Sequence, residues 1–192
     1  MARPKKFDEA DTLQKALQVF WKKGYAGTSM SDLVAKMNIN APSLYDTYGD
    51  KQQLFLSALK NYQYSQINWI EELAARPIPV KEVISMLLEA LVEETLNDPE
   101  RKGCFMINTI TELANRDEQV LQIATENEIQ IRGILAGLIR KGQSAGEISE
   151  SKDPEIIAAY LFTSMMGVRV VSATNSDKAM LNAVLKFAVS NI

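Results

Sequence analysis

Hydroxyl, amide and ammonium side chains are concentrated between residues 28 and 51, where the spacing predicts two short helices around a turn. Thr28 or Ser29 is suited to begin the first of these helices. Asn38 fits a sharp corner, because Asn tolerates a left-handed backbone better than other non-glycine residues. Asn40 then serves as a favoured N-cap for the second helix. The chemistry available in this stretch is hydrogen bonding and charge pairing, without bond breaking.

Residue types needed for much of enzyme chemistry are missing. The 192 residues contain no histidine, and Cys104 is the single cysteine. Histidine-zinc sites, histidine acid–base catalysis and an internal disulfide framework are therefore excluded. The sequence also has no serine or cysteine paired with a base, no metal-ligand spacing and no glycine-rich phosphate loop. We expect a protein that is not an enzyme and has no cofactor.

Charge is distributed unevenly along the chain. The net charge is −3, but residues 1–51 hold 8 basic against 6 acidic side chains, whereas the remainder holds 13 against 18. A mildly basic N-terminal region with a basic arm at Arg3, Lys5 and Lys6 suits contact with phosphate. No apolar run approaches the roughly 20 residues of a membrane span, and residues 1–11 lack the apolar core of a secretion signal. We expect a cytoplasmic protein without membrane contact.

Helical periodicity predicts the elements that position the polar stretch. Leu13, Leu17 and Phe20 lie on one face of a first helix, which Gly24 ends. Later helices are expected over about 51–75, 80–97, 104–115, 117–144, 153–174 and 177–190, the last capped by Ser176 or Asp177. No segment indicates a strand. The predicted fold is all-α with about nine helices: a three-helix helix-turn-helix domain at 1–50 and a helical ligand-binding and dimerisation domain at 51–192.

The helix-turn-helix stretch resembles the TetR family of transcriptional regulators. The residues that carry the resemblance are Gly24-Tyr25, Thr28-Ser29, Asp32-Leu33, Ser43-Leu44-Tyr45, Tyr48 and Lys51 to Leu54. It covers about the first quarter of the chain, and residues 102–108 are similar to a segment that opens the sixth helix in part of the family. This chain has Asn38 where the family usually has Gly, Asn40 in place of Ser or Thr, and Thr47 where Tyr or His is common.

A recognition helix must enter a major groove about 12 Å wide and present its N-terminal residues to base edges. The apolar groups of Ala41 and Pro42 suit a thymine methyl, Ser43 suits either base type, and Asp46 suits a cytosine amino group. The remaining candidates are expected to hold phosphates or cap helices, and part of the specificity is expected to come from DNA shape. The predicted DNA-binding residues are Thr28, Ser29, Asn40, Ala41, Pro42, Ser43, Tyr45, Asp46, Thr47 and Lys51. For any single one, an ordinary cap or surface role remains open.

Two helix-turn-helix heads are needed for useful affinity, so a homodimer on an operator of double-stranded DNA is expected. In the family, the last two helices form the dimer interface, and the chain has matching apolar and small residues there. These candidates are Ile156, Ala159, Tyr160, Thr163, Gly167, Met180, Leu181, Val184 and Phe187. The alternative for each is an internal core position.

The resemblance also implies an effector pocket between the middle helices, where methionines make an adaptable apolar lining. The candidates are Trp69, Met86, Phe105, Met106, Asn108, Thr109, Glu112, Met165 and Met166. Ordinary core packing is the alternative. A small apolar or amphipathic ligand would then release a repressor from a palindromic operator by shifting the spacing of the two heads.

Two further functions remain open from the sequence. Cys104 follows Lys102-Gly103 near a predicted helix N-terminus, which is typical of a thiol with a lowered pKa. A redox-sensing regulator is therefore possible, although a lone cysteine beside Phe105 and Met106 also suits a buried apolar role. The other alternative is a helical small-molecule-binding protein that does not bind DNA.

Overall fold

The computed structural model describes residues 7–174 and 177–192. Within these ranges the chain forms nine helices and no strand, so the predicted all-α fold is confirmed. The helices are α1 (Glu9–Lys23), α2 (Met30–Met37), α3 (Ala41–Tyr48), α4 (Lys51–Ala74), α5 (Val80–Leu96), α6 (Phe105–Leu113), α7 (Glu118–Ser144), α8 (Pro154–Thr174) and α9 (Lys178–Ser190). The expected ends of α4 to α9 differ from the observed ends by at most two residues.

The turn chemistry of the first three helices follows the predicted residues. Ser29 caps α2, and its side chain and that of Asp32 form a reciprocal capping box. Asn38 adopts the left-handed conformation at φ 56° and ψ 43° after α2. The Asn40 side chain caps α3 by accepting the Ser43 N–H, and Gly49 ends that helix at φ 76°. These caps fix the angle between α2 and α3.

The remaining helices form a bundle around α4 and α7. α4 packs against α1 on one side and α7 on the other, while α6 lies against both α4 and α7. α5 packs against α8 and α9, and α8 also lies along α7. Asp177 caps α9 through the Met180 N–H, whereas Ser176 and the basic arm at Arg3, Lys5 and Lys6 lie outside the described residues.

Buried apolar residues form two separate clusters, which we name the aromatic core and the aliphatic core. The aromatic core joins the helix-turn-helix to the first half of α4, to α6 and to the start of α7, and contains Phe20, Phe55, Tyr62 and Phe105. The aliphatic core joins the end of α4 to α5, the second half of α7, α8 and α9. The boundary expected at residue 50 therefore does not coincide with a break between cores.

The hydropathy of α8 corrects the expectation that no apolar segment approaches the length of a membrane span. Among the described residues, this 21-residue helix is the one that is long and apolar enough to span a membrane, with a mean hydropathy of 1.6. The fold gives its apolar residues another role, because Leu161 and Met165 are buried in the aliphatic core. Ile156 and Tyr160 on the same helix are exposed. The helix thus has two apolar faces, and only one is covered within the chain.

Candidate nucleic-acid interface and effector cavity

The outward surface of the helix-turn-helix is formed by α3. Leu44 is fully buried and anchors the helix to the aromatic core. Around it, Ala41, Pro42, Tyr45 and Asp46 are exposed, and Ser43 and Thr47 are half-buried. The Tyr45 side chain is 50% exposed, and no hydrogen-bond partner for its hydroxyl occurs among the described residues. The N-terminal face of α3 is therefore open to an external partner.

Not every predicted phosphate ligand is available at this surface. Thr28 is 2% exposed, and its hydroxyl donates to the Gly24 carbonyl oxygen at 2.6 Å. The expectation that Thr28 holds phosphate is therefore corrected: its side chain is used to fix the turn before α2. Ser29 is exposed, with its hydroxyl 2.8 Å from Asp32 Oδ2. Asn40 is also exposed, but its Oδ1 accepts the Ser43 N–H at 2.8 Å.

The junction of α3 and α4 places a cation beside an aromatic ring. Lys51 Nζ lies 4.4 Å from the centroid of the Tyr25 ring, within the range of a cation–π interaction. Tyr48 has a structural role, because its hydroxyl lies 2.6 Å from Thr12 Oγ1 and donates to the Glu9 carbonyl at 2.9 Å. α3 is thereby held against α1, with Lys51 at the edge of the exposed surface.

Polar contacts tie the helix-turn-helix to α6 and its flanking loops. The Glu112 carboxylate accepts the N–H groups of Tyr25 at 3.0 Å and Ala26 at 2.8 Å. Trp21 Nε1 donates to the Gly103 carbonyl at 3.0 Å. The predicted role of Glu112 in a ligand pocket is corrected, because both carboxylate oxygens bind the turn between α1 and α2. Sequence patterns did not reveal this long-range contact.

A small cavity of about 20 Å³ lies between α4, α5, α6, α7 and α8. Of the residues predicted to line an effector pocket, the structure brings three methionines together here: Met106, Met165 and Met166. The other lining residues are Tyr62, Gln66, Ile70, Leu91, Cys104, Asn127, Ile131 and Arg169. Met106 and Met166 also line a groove of about 630 Å³ along α6, α7 and α8, most of whose lining is apolar.

Other predicted pocket residues lie elsewhere. Phe105 belongs to the aromatic core, with its ring centroid 5.6 Å from that of Tyr62. The Asn108 amide donates to the Lys102 carbonyl at 2.7 Å, on an exposed face of α6. Thr109 is buried at 2% exposure. The predicted pocket role of these three residues and of Glu112 is corrected, because none of them lines the cavity. Glu112 contacts the helix-turn-helix, Asn108 contacts the loop before α6, and Phe105 and Thr109 are buried in the interior. Trp69 lines a separate groove between α4 and α5, and Met86 packs on the aliphatic core.

Four polar residues of the cavity were missed from the sequence: Tyr62, Gln66, Asn127 and Arg169. The sequence does carry a signal for Arg169, because it is the single charged residue between Ile156 and Thr174. A lone charge on a long apolar helix needs a specific partner once it is buried. Asn127 carries no comparable signal, because polar residues surround it along α7.

Cys104 is 7% exposed and immediately precedes α6. Its sulfur lies 3.6 Å from the Tyr62 hydroxyl. Burial raises the pKa of Tyr62 well above its usual value, and the neighbouring thiol adds to the effect. The phenol is therefore neutral and able to donate a hydrogen bond. The position of Cys104 supports an apolar packing role, and its redox activity stays a prediction.

An apolar surface runs along α8 and α9 on the side away from the core. Exposure is 68% for Ile156, 40% for Tyr160, 47% for Val184 and 67% for Phe187. Of the predicted small residues, Ala159 is half-buried, whereas Thr163 and Gly167 are exposed and line the groove along α6, α7 and α8. Leu181 is corrected, because at 2% exposure it belongs to the aliphatic core, and Met180 packs partly against that core. Val170 and Val171 are exposed apolar residues of α8 that were missed, and both line the same groove.

A helix-turn-helix with an open recognition helix, mounted on a helical body, is the architecture of a DNA-binding transcriptional regulator. Two family models match the chain: residues 13–58 match "Bacterial regulatory proteins, tetR family", and residues 80–187 match "Tetracyclin repressor-like, C-terminal domain". The chain belongs to the TetR family of transcriptional regulators. It is a DNA-binding regulator and not an enzyme.

Individual relatives agree with the family assignment. The chain is 34% identical over 179 residues to the uncharacterized HTH-type transcriptional regulator YezE of Bacillus subtilis (strain 168), covering 92% of each chain. It is 27% identical over 169 residues to the HTH-type transcriptional repressor ComR of Escherichia coli (strain K12), covering 88% of this chain and 80% of ComR. A structure of the TetR family regulator CifR, a cysteine mutant complexed with 26-base-pair operator DNA, superposes with a TM-score of 0.84 at 27% identity. That match covers 98% of both chains.

Proposed function

We propose that the chain is a homodimeric repressor that leaves a palindromic operator when a small apolar or amphipathic ligand binds its body. The observation that carries this proposal is the open N-terminal face of α3, whose exposed side chains have no partner within residues 7–174 and 177–192. ComR, a relative over most of its length, is named as a repressor. The homologues are bacterial DNA-binding regulators, which supports a cytoplasmic location as part of this proposal.

On the operator, the surface of α3 divides between base and phosphate contacts. Ala41, Pro42, Ser43 and Asp46 face the base edges of the major groove, where they offer methyl contact, a hydroxyl and a carboxylate acceptor. The phosphate contacts are proposed for Ser29, Tyr45, Thr47 and Lys51, while Asn40 caps the recognition helix and Thr28 supports the turn behind it. α3 carries no Arg, Asn or Gln, so DNA shape contributes to specificity.

Operator binding is tested with the DNA that flanks the chain's own gene, by fluorescence anisotropy at low salt. Tyr45→Ala and Lys51→Ala should each weaken binding across sequences by about 1–3 kcal/mol, because each removes a proposed phosphate contact. Tyr64→Ala is the matched control, since Tyr64 is an exposed tyrosine on α4, in the body. Unchanged operator affinity in both head variants would overturn the assignment of this surface.

The exposed face of α8 and α9 is proposed to pair with the same face of a second copy. A two-fold axis there places two helix-turn-helix heads on one side of DNA, as a palindromic operator requires. Phe187 is 67% exposed, so Phe187→Asp places a charge in the interface without disturbing the aliphatic core. Light scattering at micromolar concentration should show the wild type as a dimer and Phe187→Asp as a monomer. A wild-type monomer would contradict the proposal.

We propose that α6 transmits the effect of ligand binding to the helix-turn-helix and so causes release from the operator. Met106 on this helix lines both the cavity and the groove, while Glu112 near its other end holds the turn between α1 and α2. A ligand that widens the cavity displaces α6, and the carboxylate of Glu112 carries the movement to the head. The ligand then favours a head spacing that no longer fits the operator. Native mass spectrometry of the purified dimer tests for a bound small molecule.

A further inference from the structure

The cavity contains a buried cation. Arg169 on α8 is 5% exposed. Its Nη2 donates to Glu94 Oε2 at 2.9 Å and to Gln66 Oε1 at 3.1 Å, and its Nη1 donates to the Tyr62 hydroxyl at 3.5 Å. Arg169 is the only ionised side chain among the lining residues of the cavity. A buried arginine is ordinarily found paired, and Glu94 supplies that pair here, so an anion entering the cavity has to compete with the Glu94 carboxylate.

A second polar group in the cavity has no partner. Asn127 on α7 is 7% exposed and lines both the cavity and the adjoining groove. No hydrogen bond to its side-chain amide occurs within residues 7–174 and 177–192. The amide is not one of the fully buried polar atoms that lack a hydrogen bond, so it is accessible from the side of the groove rather than sealed in the core. Its amide is poised for a ligand atom that enters between Met106 and Met166.

The counter-ion of Arg169 is easily displaced. The side chain of Glu94 is 43% exposed, against 5% for that of Arg169. When a competing anion reaches the guanidinium, Glu94 regains its hydration at little cost, whereas Arg169 keeps an ionic partner. The cavity itself has room for about one water molecule, so an entering group must push its walls apart. Met106, Met165 and Met166 supply that adaptability, because thioether side chains repack readily.

We propose that Arg169, Tyr62 and Asn127 bind the carboxylate of an amphipathic monoanion whose apolar body lies in the groove along α6, α7 and α8. The planar guanidinium fork matches a carboxylate, and one buried cation balances one negative charge rather than the two of a phosphate monoester. Ile110, Leu121 and Phe162 supply apolar walls for the body of the ligand. The inference rests on the proposed effector site and names the chemical class that it accepts.

The test compares three probes of equal chain length, octanoate, octan-1-ol and octylammonium, by calorimetry on the full-length wild-type protein at neutral pH. We expect octanoate to bind about tenfold or more tightly than octan-1-ol, since charge-assisted hydrogen bonds are worth that ratio. Arg169→Gln should remove this preference and leave octan-1-ol affinity unchanged, and Arg169→Lys should restore part of it. Arg140→Gln is the control, because Arg140 is an exposed arginine whose pair with Glu155 lies outside the cavity.

Several results would overturn the assignment: equal affinity of the wild type for octanoate and octan-1-ol, preference for octylammonium, or a preference for octanoate that survives in Arg169→Gln. Should Arg169→Gln fail to fold, Asn127→Leu takes its place, and it should weaken octanoate binding while leaving octan-1-ol binding intact. Operator affinity is measured on the same samples. Operator binding without octanoate preference defeats this inference alone, whereas octanoate preference without operator binding defeats the proposed DNA function alone.

Discussion

The aromatic core and the aliphatic core hold the molecule together by different means. The aromatic core stacks the rings of Phe20, Tyr25, Phe55 and Phe105 edge to face and is reinforced by polar contacts such as that of Glu112. Because edge-to-face ring pairs prefer a particular orientation, they favour one relative arrangement of the helices that carry the rings. The helix-turn-helix, α6 and the start of α4 should therefore move as one body.

Among the described residues, the aliphatic core is built from leucine, isoleucine, valine and alanine, with one buried methionine and three partly buried methionines packed against it. Aliphatic cores tolerate repacking better than they tolerate lost volume, and methionine is the most adaptable of these side chains. The cavity lies where the two cores meet: it shares Leu91 and Met165 with the aliphatic core, and Tyr62, Cys104 and Met106 with the aromatic core. The contrast indicates a deformable region that accepts a ligand next to a stiff region that transmits the response.

The largest test of this contrast removes one large side chain from each core. Phe55 is 2% exposed, with its ring centroid 4.9 Å from that of Tyr25 and 5.0 Å from that of Phe20. Phe55→Ala should lower the free energy of unfolding by about 3–5 kcal/mol, and Leu135→Ala in the aliphatic core by about 2–5 kcal/mol. Urea unfolding followed by circular dichroism gives both values.

The two variants should differ in operator affinity when each is measured under conditions where it is fully folded. Phe55→Ala should weaken operator binding, because it loosens the packing of the recognition domain on α4. Leu135→Ala should leave it close to the wild-type value. Equal losses of operator affinity in the two variants would show that the head is not more closely tied to one core than to the other.

A smaller effect is expected from the carboxylate that links α6 to the head. Glu112→Ala leaves the Tyr25 and Ala26 N–H groups without their acceptor, at a cost of about 1–3 kcal/mol in the free energy of unfolding. Glu128→Ala is the matched control, because half-buried Glu128 pairs with Arg132 across one helical turn, a pair worth about 0.5 kcal/mol or less.

Glu112→Gln sharpens the result further. Its amide oxygen can replace one carboxylate oxygen, so this variant should lie between the wild type and Glu112→Ala in stability. If Glu112→Ala unfolds at the same urea concentration as Glu128→Ala, the contact contributes nothing to holding the head, and another contact must carry any movement of α6.

Local signals made the fold predictable. Ser29, Asn38 and Asn40 act within a few residues of themselves, so their roles in the caps and the turn followed from residue type and spacing. The ends of the later helices followed equally from apolar periodicity and capping residues. The buried Leu181 shows the limit of this approach, because periodicity identifies an apolar face without saying whether that face meets the core or a partner.

The candidate sites were predictable only in part, for the same reason. The open face of α3 lies within one short segment, whereas the cavity combines residues from α4, α5, α6, α7 and α8. Glu112 resembles a pocket residue by its position on an apolar helix, but its partners Tyr25 and Ala26 are more than 80 residues away in the chain. Contacts at that separation depend on how the helices pack.

The smallest predicted effect is the pH dependence of stability that comes from Asp32, the acidic residue of the α2 capping box. The Lys23 ammonium hydrogen bond, with those of the Ser29 N–H and hydroxyl, lowers the pKa of Asp32 well below its ordinary value of 3.8. Because the folded pKa lies below the unfolded one, the stabilisation is fully present above about pH 4 and is lost as pH falls towards the folded pKa. Asp32 is on α2, so this loss should fall on the head and not on the aliphatic core.

Asp32→Asn should be less stable than the wild type at pH 6, and the difference should shrink on going to pH 2 in urea titrations. A difference that stays constant over this range would mean that the ionised carboxylate does not stabilise the capping box.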